Sequence, residues 1–146
     1  MIDKPQSMQA NPILRGVTSV TMGPILLFAW YVQWHGDYGP GGGFQAGVIF
    51  AAAVIAYALI YGLDKAQTFI PPRAAEIGVM AGWLLYIGTG IVSMFLGANF
   101  LDYDVLAHDP LHGQHYGILA VELGVGITVA AVMIVLFYAF AGRRHR

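Results

Sequence analysis

One carboxylate stands apart from the other acidic residues. Glu122, in "GILAVELGVGITVAAVMIVLFY", is the single charged side chain in an apolar run long enough to cross a bilayer. A carboxylate at hydrocarbon depth costs several kcal/mol unless it is paired or hydrated. Burial favours the protonated acid and a nearby cation favours the carboxylate, so the group suits exchange of one for the other. The plainer reading is a structural carboxylate hydrogen-bonded to a neighbouring helix. His35 and Asp37 form a second candidate pair just ahead of "GPGGGFQAGVIF". Imidazole titrates near neutrality, so His35 can relay protons or simply hold loop carbonyls. Thr128 adds a hydroxyl to the Glu122 segment. Glu122, His35, Asp37 and Thr128 are the candidates for an ion or proton path.

Other chemistry is poorly supported. "HDPLHGQH" offers His108, His112 and His115 with Asp109 nearby. Zinc needs a defined four-ligand shell or an open catalytic position, and Pro110 and Gly113 are expected to break any helix aligning His108 with His112. The stretch reads as a solvated loop, and no metal site is expected. Cysteine is absent, which excludes disulfides and thiolate chemistry. No Lys-Ser or Lys-Thr follows "PGGGF" and no strand precedes it, so it is not a nucleotide loop. Nothing resembles the basic stripe of a nucleic-acid binder. Arg73 and Glu76, three residues apart, are expected to pair on one helix face.

These residues need elements to position them. The chain has 146 residues, of which 58% are hydrophobic and 10% charged, where a soluble domain carries roughly 25% charged. Four segments, 13–34, 44–63, 74–98 and 116–141, reach the ~20 apolar residues a spanning helix requires. The expectation is an all-α integral membrane protein, residues 1–146 forming a single four-helix domain. Lys4 and Arg15 precede the first segment, Lys65 and Arg73 separate the second from the third, and Arg143, Arg144 and Arg146 follow the fourth. All seven basic residues thus share one side, which the positive-inside rule makes cytoplasmic, with both termini inside. The N-terminus reads as a short polar tail rather than a cleaved signal. The first outer loop is glycine-rich. Pro40 stops the approach, and Gly41, Gly42 and Gly43 can adopt angles closed to other residues. Their N–H groups start the second span, where they must face protein, water or a ligand. Phe44 is expected to fill the space the glycines leave, and Gln45 to bridge to another helix. Small residues at Gly78 and Gly82, and at Gly124 and Thr128, suit close helix packing, within this chain and against other subunits. Pro24 should kink the first span, with Thr21 or a partner helix satisfying the freed carbonyl.

The run "YVQWHGDYGPGGGFQAGVIFAAA" resembles the signature of the B subunit of Mrp-type (Mnh-type) multi-subunit cation/proton antiporters. Gln33, His35, Gly36, Pro40, Gly41, Gly42, Gly43, Phe44, Gln45 and Gly47 fill its positions. The segment holding Glu122 is similar to the family's final helix, and only the Asp- and His-rich third loop departs from the pattern. The resemblance implies a small, non-enzymatic membrane subunit of a complex exchanging Na⁺ for H⁺. It implies no cofactor beyond the transported ions. It also implies a bacterial or archaeal cytoplasmic membrane, and partners that include large complex-I-like membrane subunits. Three alternatives stay open: a purely structural scaffold, the equivalent subunit of an ion-translocating membrane hydrogenase, and a metal-dependent membrane enzyme built on the loop histidines.

Overall fold

Prolines set where three of the helices begin. The computed structural model describes residues 11–36 and 39–143. Helix α1 runs Pro12–Gln33, capped by the Asn11 side chain, which accepts from the N–H groups of Ile13 at 2.9 Å and Leu14 at 3.4 Å. Helix α2 is Gly43–Tyr61, α3 is the short Leu63–Phe69, α4 is Pro72–Phe95 and α5 is Pro110–Gly142. Pro12, Pro72 and Pro110 each occupy a first turn, where a missing N–H costs nothing and the fixed φ is already helical. Among the described residues, α1, α2, α4 and α5 are long and apolar enough to cross a membrane. This is the expected all-helical, four-span architecture.

The four spans form two antiparallel hairpins, α1–α2 and α4–α5. Helix α5 is central and packs along both α2 and α4, while α1 packs on α2 and barely reaches α5. Helices α2 and α5 run in the same direction. Gly43 lies beside Glu122, and Val54 and Ala58 join Ile134 and Tyr138 in the buried core. Gly78 and Gly82 let α4 approach α5: a Cβ at Gly82 would lie 2.6 Å from the Gly124 carbonyl, and one at Gly78 3.1 Å from the Ala131 methyl. The expected Gly-rich seam therefore closes within the chain. Gly16, Gly23 and Gly88 face open space.

Several expectations need correction. Helix α5 starts at Pro110, not near 116. Pro110 and Gly113 do not break it, because Asp109 caps it, accepting from Leu111 N–H at 3.2 Å. Gly113 then admits the Tyr103 carbonyl from a 3₁₀ turn, Tyr103–Leu106, against the helix. His112 and His115 are thus helical, whereas His108 precedes the cap. Among the described residues, no three His, Asp or Glu side chains converge as a metal site would require. The loop between the second and third spans contains α3, with Ala66 buried. Helix α4 stops at Phe95 because Gly97 takes a left-handed turn, φ 88°. Arg73 and Glu76 are both exposed and form no ion pair, consistent with the small worth of solvated pairs. Thr21 donates to the Val17 carbonyl at 2.9 Å, not to the Val20 carbonyl that Pro24 deprives of its helical donor.

Charge divides the bundle into two ends. Arg15, Lys65, Arg73 and Arg143 cluster at one. There the Tyr61 hydroxyl donates to the Arg15 carbonyl at 2.8 Å, and the Arg15 guanidinium lies 5.3 Å from the centre of the Tyr61 ring. Tyr138 donates to the Ile70 carbonyl at 3.1 Å. Lys4, Arg144 and Arg146 lie outside the described residues. Asp102, Asp104 and Asp109 occupy the other end. The hairpins share the basic end but differ in height: the 19 residues of α2 extend roughly 28 Å and the 33 of α5 roughly 50 Å. At the acidic end the α4–α5 tip consequently rises above the α1–α2 turn.

The α5 cap gives a pH-dependent prediction. His112 Nδ1 lies 2.9 Å from Asp109 Oδ2. That hydrogen bond, with the one from Leu111 N–H, holds the Asp109 carboxyl below its ordinary range. A depressed folded value means that the cap is intact above the ordinary carboxylate range and is lost as pH falls through the lowered value. The protection of amides 111–114, as exchange relative to the intrinsic rate at each pH, is expected to fall in that acidic window. Asp109→Ala should show similarly low protection already at neutral pH.

Candidate functional site

The site forms where the α1–α2 turn meets the middle of α5. At the end of α1 the Val32 carbonyl accepts from His35 N–H at 3.2 Å and from Gly42 N–H at 3.1 Å, which brings Gly42 back to the end of the helix. Gly42 carries φ 115°, a conformation that favours glycine. The turn hands the chain to α2 at Gly43, which lies so close to α5 that a Cβ there would collide with the Glu122 carbonyl and sit 2.9 Å from Gly126 N.

The Glu122 side chain reaches into this turn. Its carboxylate lies against Gly36, and a Cβ on Gly42 would stand 2.8 Å from Oε1. Gly36 and Gly42 cradle the half-buried acid and Gly43 abuts its backbone carbonyl, with the Gln45 side chain at the edge of the cradle. Gly42 is the N-cap of α2 and Gly43 its first residue, where first-turn N–H groups and the helix dipole favour negative charge. The Pro-Gly-Gly-Gly run thus does two things: it turns the chain beneath Val32, and it leaves room for the carboxylate.

Glu122 is not where a 116–141 span would put it. Twelve residues of α5 precede it, roughly 18 Å of helix rather than ~9 Å. It is level with the first residues of α2. The carboxylate therefore lies at the mouth of the α1–α2 hairpin, recessed below the α4–α5 tip.

The other candidates fall around this point unevenly. Gln33 is 9% exposed, and its amide oxygen sits against Gly126, one helical turn beyond Glu122. The "ELGVG" spacing, with Glu and Gly four residues apart on one face, is the sequence signal for that notch. Sequence reasoning assigned Gly126 no role. His35 is half-buried, its ring stacked at a tilt on Tyr31 with centroids 4.0 Å apart, and its backbone helps close the turn. Asp37 lies outside the described residues. Thr128 is not brought to the carboxylate; its hydroxyl donates to the Gly124 carbonyl at 2.8 Å and packs on Gly82, in the α4–α5 seam. Phe44 does not fill the glycine space: it is 62% exposed, and the Glu122 side chain takes that place. Gln45 is exposed beside the cradle, and any bridge it makes to a helix must lie outside this chain.

Comparison with known proteins gives the family. Residues 13–135 match the family described as "Domain related to MnhB subunit of Na+/H+ antiporter". A protein of Staphylococcus haemolyticus carrying the name antiporter subunit mnhB2 is 32% identical over 133 residues, covering 89% of this chain and 94% of its own. Proteins of the same name from Staphylococcus epidermidis and Staphylococcus aureus are each 32% identical, covering 90% of this chain and 95% of their own. The family match reaches from the first turn of α1 well into α5 and takes in the glycine turn and Glu122. The chain belongs to the MnhB-related family of Na⁺/H⁺ antiporter subunits.

Proposed function

We propose that, as an MnhB-family membrane subunit of a Na⁺/H⁺ antiporter complex, this chain supplies Glu122 as a carboxylate that binds H⁺ and Na⁺ alternately. The observation that carries this reading is a half-buried carboxylate on the central helix set against Gly36 and Gly42. These two glycines bring backbone dipoles, but no bulk of their own, beside an acid level with the first residues of a spanning helix. A small cation and a proton can both be accommodated there with little rearrangement. His35 stands beside the approach from the acidic end, Asp37 follows it two residues on in sequence, and the buried Gln33 amide lies one turn deeper. Thr128 serves the α4–α5 seam in this reading, since its hydroxyl is already bonded.

Orientation follows from charge. With Arg15, Lys65, Arg73 and Arg143 at one end, the positive-inside rule places that end in the cytoplasm. The cradle then opens toward the exterior of a cytoplasmic membrane. Partners are other membrane subunits, large complex-I-like ones among them. The exposed Phe95 and Leu111 of the projecting α4–α5 tip, 87% and 79% accessible, suit burial against such neighbours. No independent catalysis and no cofactor enter this reading.

One observation favours a static alternative. Glu122 Oε1 approaches Gly42, the N-cap of α2, where a fixed negative charge stabilises the helix without carrying ions. Water access separates the two. The chain lacks cysteine, so Glu122→Cys introduces a unique thiol into it. In the transport reading a membrane-impermeant, charged thiol reagent applied from the exterior modifies that residue in the assembled complex. A thiol that reacts only with apolar reagents places the position in a dry joint and defeats the proposal.

A further inference from the structure

Below the cradle, α1 and α5 part company. Between them, walled by α2 and the start of α4, runs an apolar cavity of about 310 Å³. On α5 it extends from Leu123 to Ile134, roughly 16 Å along the helix. Small residues make it: Ala46 and Gly47 on α2, and Gly126, Ala130 and Ala131 on α5. Gln33 and the Trp30 indole bring the lining's polar side-chain atoms, and Gln33 forms the roof that divides the cavity from the Glu122 cradle.

Size and charge select the occupant. A helix ~10 Å across would need about 1,200 Å³ over that length, more than the roughly 870 Å³ of all empty space there, so a partner's transmembrane helix does not fit wholly inside it. A single extended hydrocarbon chain fits both the bore and the apolar walls. The far end of the cavity is lined by Ile70, Ala74 and Ala75, with the exposed Arg73 between them in sequence, in the first turn of α4. Lys65, Arg15 and Arg143 are also exposed at this end of the bundle, so its cations outnumber the exposed Asp64 and Glu76 there. Basic residues at the rim of an intramembrane crevice attract anionic headgroups. Among the described residues no Lys or Arg lies at the upper end.

We infer that the cavity binds one acyl chain of an anionic phospholipid from the leaflet at the basic end, its phosphate on Arg73. The chain tip lies under Gln33 and seals the crevice, so that water and ions at Glu122 have no route down the α1–α5 gap. This inference does not depend on the transport role of Glu122.

The antiporter complex, reconstituted with a phosphatidylglycerol bearing a photoactivatable group in its acyl chain, tests it. After photolysis and delipidation, labels are expected on the cavity faces of α1 and α5, outcompeted better by phosphatidylglycerol than by phosphatidylcholine. Ala130→Phe should remove the cavity labels while leaving those on the exposed surface of α1. Arg73→Gln should lower the anionic preference about fivefold, the worth of one arginine at a membrane surface. Should Ala130→Phe fail to assemble, Ala74→Leu at the exposed rim and Arg73→Gln still decide the matter. Absence of label from the cavity residues overturns the inference, as does a cross-link from a cysteine at Ala130 to another subunit. Equal competition by the two lipids also overturns it.

Discussion

Glu122→Gln is expected to reduce Na⁺-driven proton exchange by the assembled complex to the level of membranes lacking it, with every subunit still co-purifying. The amide nearly matches the carboxylate in shape, so the glycine cradle accepts it, but it carries no charge and takes up no proton at working pH. A site that alternates between H⁺ and Na⁺ cannot cycle without a titratable oxygen. Glu122→Asp separates charge from reach. It keeps the acid but shortens the arm by one methylene, and is expected to retain exchange at a raised apparent KM for Na⁺. The measurement is acid-quenched dye recovery in everted vesicles on adding Na⁺, with subunit content checked on the same membranes. Ordinary exchange by Glu122→Gln would falsify the transport role and leave the helix-capping one.

Alanine at Gly36 and at Gly43 should give opposite phenotypes. A Cβ on Gly36 meets the tip of the Glu122 side chain, a flexible group that can swing aside. Gly36→Ala is therefore expected to assemble and to impair exchange, because it displaces the carboxylate. A Cβ on Gly43 meets the Glu122 carbonyl and Gly126 N, which are backbone atoms of the central helix. They cannot yield without parting α2 from α5. Overpacking of this kind costs ~1–3 kcal/mol and sometimes more, and a rigid neighbour puts Gly43→Ala at the upper end. The expected result is loss of assembled complex or a clearly lowered Tm, before any question of transport. Gly88→Ala, on α4 with nothing within 4 Å, is the neutral control. Equal behaviour of all three variants would show that the cradle contacts do not govern either property.

Much of the fold is legible in the sequence, for plain physical reasons. A bilayer demands long uninterrupted apolar helices, and the seven basic residues mark one end of the bundle without any knowledge of packing. The first three spans begin within two residues of their expected positions. Helix α5 exceeds its apolar stretch because a cap, not hydropathy, sets its start: Asp109, Pro110 and the glycine at 113 are loop-like in composition but compatible with a first turn. Glu122 is recognisable as an acid in an apolar run. Its true depth is not, because depth depends on how far α5 slides past α2, and that register is fixed by Gly43 on Glu122 and Gly47 on Gly126. Such contacts lie about 80 residues apart and leave no periodic trace. For the same reason Phe44 misleads: beside three glycines an aromatic looks like filler, yet the helix turns it outward.

The recess of the α1–α2 turn has an electrical consequence. Helix α2, at 19 residues, matches the thickness of the insulating hydrocarbon, and Glu122 is level with its first residues. In the proposed orientation, little of the transmembrane voltage then falls between the exterior and the carboxylate, and nearly all falls between the carboxylate and the cytoplasm. Loading from outside should be almost indifferent to voltage. The onward step of a single charge should feel close to the full ~2.3 kcal/mol per 100 mV.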